Sequence, residues 1–161
     1  MASWLPQAWA KIAGHWRWFW GIRKAGPNTA ASAQGRLGEE AAAKFVQERG
    51  WIIVTRNWRH GRDELDLVAW DGDILVFTEV KTRAAHAPVS GYNSVTWRKK
   101  RALARAVRAY LRGLEQSPTH FRFDIVEVKV SDGAVLKVLL HSGITLLPNH
   151  IPPNRGHGPR Y

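Results

Sequence analysis

The apolar residues recur first at helical spacing and then in a short run, which predicts a helix followed by a strand. The helical pattern begins near Gln34 and ends at Gly50, a residue type that commonly terminates helices. Its apolar stripe consists of Leu37, Ala41, Ala42, Phe45 and Val46. The run from Trp51 to Trp58 is rich in β-branched residues, as is typical of a strand.

The next pattern predicts a β-hairpin. Two apolar-rich runs, DELDLVAW and DILVFTEVK, flank an Asp-Gly dipeptide at 71–72 that suits a two-residue type I′ turn. With that loop, Trp70 pairs with Asp73 and Glu64 lies opposite Glu79. Because few positions in either run are polar, we expect strands that are buried on both faces.

Helical spacing returns over about Thr96 to Arg112, after a loop over residues 82–93 that is rich in turn residues. Residues 121–130 and 134–140 then predict two closing strands on either side of a second Asp-Gly turn. The order helix, strand, hairpin, helix, strand, strand predicts an α/β domain with a mixed β-sheet flanked by helices.

The composition changes at both ends of the chain, which predicts three segments. Residues 1–33 form a tryptophan-rich basic arm and a linker, residues 34–147 the folded domain, and residues 148–161 a disordered basic tail. As a helix the arm is amphipathic and aromatic, so residues 4–24 are suited to peripheral contact with an anionic membrane. An arm that folds back on the domain, or a disordered one, explains the same residues.

The charge of the chain favours a polyanionic partner. Its 161 residues include 24 Lys and Arg against 13 Asp and Glu, a net charge of +11. Nucleic acid is the first candidate, DNA before RNA, and an anionic membrane the second. The absence of cysteine excludes a disulfide framework, a thiolate zinc site and a cysteine nucleophile, and it is compatible with the cytoplasm, where we expect the protein.

Four ionisable residues of the predicted hairpin, Glu64, Asp66, Glu79 and Lys81, share one face because side chains alternate along a strand. Buried carboxylates so close together need a cation, and Asp66 and Glu79, as diagonal neighbours, could reach one ion between them. Mg²⁺ fits because it binds one or two carboxylates and keeps several waters, and Mn²⁺ is the alternative. A solvated hairpin face with ordinary ion pairs is the competing interpretation.

One face of the second predicted helix is strongly basic. Like charges at this spacing repel, so the row destabilises the helix unless a partner such as a phosphate backbone neutralises it. A solvated basic face is the alternative. The candidate nucleic-acid-binding residues are Arg98, Lys99, Arg101, Arg105, Arg108 and Arg112.

Asp66, followed after twelve residues by Glu79-Val80-Lys81, resembles the PD-(D/E)XK nuclease signature. The longer context is similar to the YraN family of endonuclease-like bacterial proteins over roughly residues 34–130, including Gly38-Glu39, GRDELDLVAWDGD and VFTEVKTR. One departure is visible, because Asp63 stands where that family usually has glycine.

The resemblance implies a restriction-endonuclease-like core and a set of roles. Asp66 and Glu79 would ligate a divalent ion, the carbonyl of Val80 could add a ligand, and Lys81 would orient or deprotonate the attacking water. Glu64 could add a further ligand or recruit a second ion. A structural salt bridge is the other interpretation of Lys81.

Glu39 has two interpretations. It either compensates charge at the N-terminus of the first helix or belongs to the acidic site.

Taken together, these features predict a metal-dependent endonuclease that hydrolyses phosphodiester bonds in nucleic acid, foremost in structured or branched DNA. The alternative is a nuclease-like module that binds nucleic acid without cutting it and is tethered to a membrane through the arm. The intact set of Asp66, Glu79 and Lys81 favours the enzyme.

Overall fold

Seven elements follow one another in the computed structural model, which describes residues 30–87 and 95–146. Two helices and five strands occur in the order expected from the sequence. They are α1 (Ala30–Gln47), β1 (Ile52–His60), β2 (Asp63–Asp71), β3 (Ile74–Ala84), α2 (Trp97–Arg112), β4 (His120–Ser131) and β5 (Ala134–His141).

The five strands form one mixed sheet in the order β1-β2-β3-β4-β5. β3 and β4 are parallel, and every other neighbouring pair is antiparallel. The parallel pair requires a long crossover, and α2 lies within it. The expected mixed sheet flanked by helices is therefore confirmed, and the architecture is consistent with a restriction-endonuclease-like core.

The helices cover opposite faces of the sheet, which explains why β2 and β3 are apolar at most positions. Leu103 and Val107 of α2 pack with Phe77, whereas Val46 of α1 packs with Val76. Phe77 and Val76 are consecutive, so their side chains point to opposite faces. Both central strands are thereby removed from water on both sides.

The β2–β3 turn differs from the expected one. Trp70 pairs with Leu75 and Asp71 with Ile74, so the predicted pairing of Trp70 with Asp73 is wrong and the loop is Gly72-Asp73. Gly72 has a φ of 61°, and no positive φ occurs at its non-glycine neighbours. The register is displaced by two residues, an even number, so the pairing keeps Asp66 and Glu79 on one face as expected.

Asp71 stays in β2 because a residue distant in sequence holds it there. Arg122 of β4 donates to Asp71 Oδ2 at 2.7 Å and, through Nε, to the buried Asp124 at 2.9 Å. In the other hairpin the Asp-Gly pair does form the loop, with φ angles of 50° at Asp132 and 76° at Gly133, as a type I′ turn requires.

Three elements begin or end at residues that differ from the predicted ones. α1 begins at Ala30, inside the predicted linker, and β3 continues to Ala84, inside the predicted loop. α2 begins directly after Thr96, whose hydroxyl accepts a hydrogen bond from the Lys99 N–H at 3.3 Å and caps the helix.

The basic arm and the basic tail lie outside the described residues, as does most of the loop before α2. Neither helix in the described ranges is long and apolar enough to cross a membrane.

Candidate metal and nucleic-acid site

Asp66 and Glu79 meet where the β2–β3 ladder ends. The last paired residues are Leu67 and Thr78, and the next residue on each strand is one of the two acids. Glu79 therefore comes into register with Asp66, and the predicted position of Glu64 opposite Glu79 is wrong. The Val80 N–H donates to Asp66 Oδ2 at 2.7 Å, which fixes the Asp66 carboxylate against β3.

Asp66 is held in an environment that disfavours its charge. Burial, followed by repulsion from Glu79, raises the pKa of Asp66 to about 7, although the hydrogen bond from Val80 opposes the shift. The negative charge of Glu79 therefore disfavours ionisation of Asp66. A bound metal ion would offset the repulsion between these two carboxylates.

Glu79 is the centre of the cluster. Its side chain is 2% exposed, and Oε1 accepts hydrogen bonds from Lys81 Nζ at 2.6 Å and from Lys99 Nζ at 2.9 Å. Its other oxygen, Oε2, is buried and has no hydrogen-bond partner in the part of the chain that the structure describes. A buried carboxylate oxygen without a donor is costly, and a cation would satisfy it.

The sequence placed Lys99 on the nucleic-acid-binding face, whereas the structure turns its ammonium into the acidic cluster. Burial lowers the pKa of Lys99, but the charge and hydrogen bond of Glu79, with smaller contributions from Asp66 and Glu64, outweigh burial and leave that pKa raised. The spacing of basic residues along α2 could not reveal this position. It depends on how α2 packs on the sheet.

Glu64 lies at the edge of the cluster. It is in register with Arg59 of β1 and accepts from Arg59 Nη2 at 2.8 Å. Its charge still contributes to the raised pKa of Asp66. Ligation by Glu64 stays a prediction and would require it to leave Arg59. Ligation by the carbonyl of Val80 likewise stays a prediction.

Glu39 lies in the middle of α1, which has no acidic residue in its first turn. The interpretation of Glu39 as N-terminal charge compensation is therefore wrong. Its Oε2 instead accepts a hydrogen bond from Asn57 Nδ2 at 3.2 Å. Asn57 is opposite Asp66, because Arg56 pairs with Leu67 and Trp58 with Leu65.

Asn57 is a site residue that sequence reasoning missed. It has a φ of 52° within β1, a conformation that asparagine tolerates better than most residues. Its Oδ1 is buried and has no partner among the described residues. An asparagine amid strand-forming residues was the available signal, and it points to a special backbone position beside the acids.

A second polar pair, which the sequence did not indicate, lies on the neighbouring strands. Glu127 is in register with Lys81 and is buried, and its Oε2 lies 3.2 Å from Nε2 of His141 on β5. A cavity of about 430 Å³ opens beside it, lined by Lys100, His141 and residues 142–145. The polar face thus continues from the acids across β4 to β5.

The basic face of α2 is partly neutralised from within the protein. Arg105, which was expected to bind nucleic acid, forms two hydrogen bonds with Asp63, at 2.9 and 2.7 Å. This contact gives Asp63, the departure from the YraN pattern, a structural role.

The side chain of Arg101 stacks over Trp97 at 4.6 Å, and Trp97 is 64% exposed. The exposed members of the row are Arg98, Arg101, Arg105 and Arg112, and Arg108 is half-buried.

The residues present fit a divalent ion that keeps much of its water. Across residues 30–87 and 95–146, no group of three or more His, Cys, Asp or Glu is assembled for a metal. Two carboxylates, one with an unpartnered buried oxygen, match the usual protein contribution to a Mg²⁺ site. The paired acids therefore suit Mg²⁺ or Mn²⁺ better than Zn²⁺, whose sites use three or four protein ligands.

The comparison with known families bears on the same part of the chain. Residues 38–128 match the model of UPF0102, described as an uncharacterised protein family. The chain belongs to the UPF0102 family. The region that UPF0102 proteins share with it includes Glu39, Asp66, Glu79, Lys81 and Lys99, and it stops before the end of β4.

Individual UPF0102 proteins are similar over more than half of the chain. A UPF0102 protein of Nitratidesulfovibrio vulgaris is 45% identical over 97 residues, which cover 60% of this chain and 72% of the relative. One from Symbiobacterium thermophilum is 45% identical over 95 residues, covering 59% and 80%. One from Chlorobium limicola is 40% identical over 94 residues, covering 58% and 73%.

Proposed function

We propose that this UPF0102 protein is a metal-dependent endonuclease of the PD-(D/E)XK type that hydrolyses phosphodiester bonds in nucleic acid. The observation that carries the proposal is the geometry around Glu79. A second carboxylate, two lysine ammonium groups and a buried unpartnered oxygen converge there at the open end of a strand ladder. A surface ion-pair network would not bury an unsatisfied carboxylate oxygen.

Each residue of this cluster has a role in phosphodiester hydrolysis. Asp66 and Glu79 would hold Mg²⁺ or Mn²⁺, and the hydrogen bond from the Val80 N–H fixes the Asp66 carboxylate against β3. The bound ion would acidify a water molecule and polarise the phosphoryl group. Lys81 would orient that water, or accept its proton when its side chain is a neutral amine, and Asn57 of β1 and Glu39 of α1 would support the site.

The charge around the cluster supports nucleic acid as the substrate. Arg98 and Arg101 are exposed on the helix whose first turn supplies Lys99, so a phosphate backbone along α2 would reach the acids. The exposed ring of Trp97 adds a surface on which an unpaired base can stack. These contacts favour structured or branched DNA that exposes unpaired nucleotides.

The alternative function is a binding module that holds nucleic acid without cutting it. One observation favours it, namely that Lys81 and Lys99 already neutralise Glu79 without any metal ion. In such a module the cluster would be a structural ion-pair network, and Lys81 a structural lysine.

Cleavage assays distinguish the two functions. The purified full chain is incubated with linear duplex, single-stranded, flap, junction and RNA substrates, each with Mg²⁺, Mn²⁺ or EDTA. We expect cleavage of a structured DNA with either ion, none in EDTA, and none by Glu79→Ala with any ion. Metal-independent cleavage, or equal activity in Glu79→Ala, would refute the assignment, and binding without cleavage of every substrate would favour the binding module.

A further inference from the structure

Lys99 is the one member of the acidic cluster that comes from α2, and its contact joins two parts of the molecule. We propose that its ammonium group is the built-in counter-ion of the metal site: it holds Glu79 Oε1 when no ion is bound and leaves for a phosphate of the nucleic acid when an ion binds. This inference rests on the proposed function and adds a positioning residue that couples metal binding to docking.

The sum of formal charges at the site differs between the metal-free and the metal-bound protein. Without a metal ion and with Asp66 ionised, the ammonium groups of Lys81 and Lys99 match the two carboxylates of Asp66 and Glu79. A divalent ion between the carboxylates leaves two positive charges in excess within a half-buried site. Repulsion between like charges so close together is strong in a half-buried site, which favours the displacement of one ammonium group.

Lys99 is the group with a route out. Lys81 lies two residues from Glu79 on the same strand, and its side chain is 23% exposed. Lys99 reaches Glu79 from a separate helix, and its side chain is 37% exposed, with a flexible four-carbon stem. Rotation of that stem moves the charge from Glu79 into solvent without any displacement of the backbone.

The destination of the released ammonium is the basic face of α2. Lys99 lies in the first turn of α2, next to the exposed Arg98. There it can bind a phosphate of a backbone that runs towards the metal ion. Metal ion and nucleic acid therefore each favour the outward position of Lys99, and reciprocity requires each ligand to increase the affinity for the other.

The first test measures metal affinity without nucleic acid. Mn²⁺ is titrated into the wild type, Lys99→Gln, Lys99→Arg and Lys100→Gln, and free Mn²⁺ is followed by electron paramagnetic resonance. Because Lys99→Gln removes the competing charge, we expect it to bind Mn²⁺ about tenfold more tightly than the wild type. Lys99→Arg should stay near the wild type, and the matched control Lys100→Gln, which does not contact Glu79, should be unchanged.

The second test measures coupling in the absence of cleavage. Binding of a fluorescent junction DNA is compared with Ca²⁺ and with EDTA. The wild type should bind more tightly with Ca²⁺, and Lys99→Gln should lose most of this gain, whereas Lys100→Gln retains it. Thermal melts provide a readout of the folded state: Lys99→Gln should melt below the wild type in EDTA, and the difference should shrink in Mn²⁺.

Several results would overturn the inference. Unchanged or weaker Mn²⁺ binding by Lys99→Gln would show that Lys99 does not compete with the ion, and so would the absence of binding in both proteins. Binding by Lys99→Gln alone would support the competition. No readout requires cleavage, so a protein that never cuts DNA could still confirm the role of Lys99, and an active nuclease could still refute it.

Discussion

At the scale of single residues, the protonation of Asp66 should make the stability of the folded protein depend on pH. Its folded pKa of about 7 lies above the value of an unfolded aspartate, so the folded state favours the neutral carboxyl group. The resulting stability is fully present below the unfolded pKa and is lost as the pH rises through 7. Metal-free protein should therefore be destabilised at Asp66 in mildly alkaline solution.

Asp66→Asn tests this directly, because asparagine is neutral at every pH and can still accept from Val80. In EDTA the variant should be more stable than the wild type by about 1–2 kcal/mol at pH 8, and the difference should vanish near pH 4. Urea unfolding across this range measures it, with a repeat in Mg²⁺, where the advantage should shrink. A difference that does not change with pH would contradict the raised pKa.

Under the proposed function, a substitution at Lys81 should separate binding from catalysis. Lys81→Ala should keep metal and nucleic-acid binding, because the carboxylates of Asp66 and Glu79 and the basic face of α2 are unchanged. It should lose about 10²–10⁴-fold in cleavage rate, since removal of a group that acts on the water typically costs that much. Single-turnover cleavage beside Mn²⁺ titration measures both quantities. Full activity in Lys81→Ala would make Lys81 a structural partner of Glu79.

At the scale of elements, α1 approaches β3 through Gly38. A Cβ atom at Gly38 would lie 1.8 Å from Oγ1 of Thr82, so alanine there would force α1 away from the sheet. Gly38→Ala should lower the free energy of unfolding by about 1–3 kcal/mol, the usual cost of overpacking. The shift should also disturb the contact between Glu39 and Asn57.

Gly35→Ala is the matched control in the same helix. A Cβ atom at Gly35 meets nothing within 4 Å, so this variant should gain about 0.5–1 kcal/mol from helix propensity. Thermal melts of the two variants side by side measure the contrast. Equal effects of both substitutions would show that α1 does not pack closely on Thr82.

The elements themselves were predictable because their apolar periods are strong. The bounds of α2 and β4 differ from the expected ones by a residue or so, and the shared face of Asp66 and Glu79 followed from strand alternation. The register of the first hairpin did not follow, since it depends on a contact between Asp71 and Arg122, which lie 51 residues apart in sequence. Local turn chemistry cannot contain that information.

The same limit applies to the site. Lys99 was recognised as a cation on a basic helix, but its position at Glu79 depends on tertiary packing of α2 across the sheet. Arg105 was assigned to a nucleic-acid partner, and Asp63 occupies it instead. Periodicity assigns a side chain to a face of its own element, whereas the facing residue is known only once the elements are packed.

At the scale of the whole molecule, the basic arm is a separate prediction about membranes. Its aromatic stripe should bring the full chain to anionic vesicles, and Trp16→Ser with Trp20→Ser should weaken that partition about tenfold or more. Vesicle co-sedimentation measures it. Trp97→Ser, which changes an exposed tryptophan of the domain, is the control and should retain the partition. Equal partition of all three proteins would show that the tryptophans of the arm do not bind the membrane.

If the protein binds nucleic acid as proposed, its net charge of +11 should make the affinity depend on salt, with the exposed arginines of α2 as the expected determinants. Arg98 and Arg101 are exposed beside the acidic cluster, whereas Asp63 holds Arg105. Arg98→Gln with Arg101→Gln should lower the slope of log affinity against log salt by about 0.9 for each duplex phosphate that these side chains neutralise in the wild type. Arg105→Gln should lower the slope less, since that guanidinium is already neutralised.

Arg49→Gln, beyond the C-terminal end of α1 on the opposite face of the sheet, is the control and should leave the slope unchanged. If the double variant keeps the wild-type slope, the phosphate backbone binds on another surface and α2 does not guide it to Asp66 and Glu79.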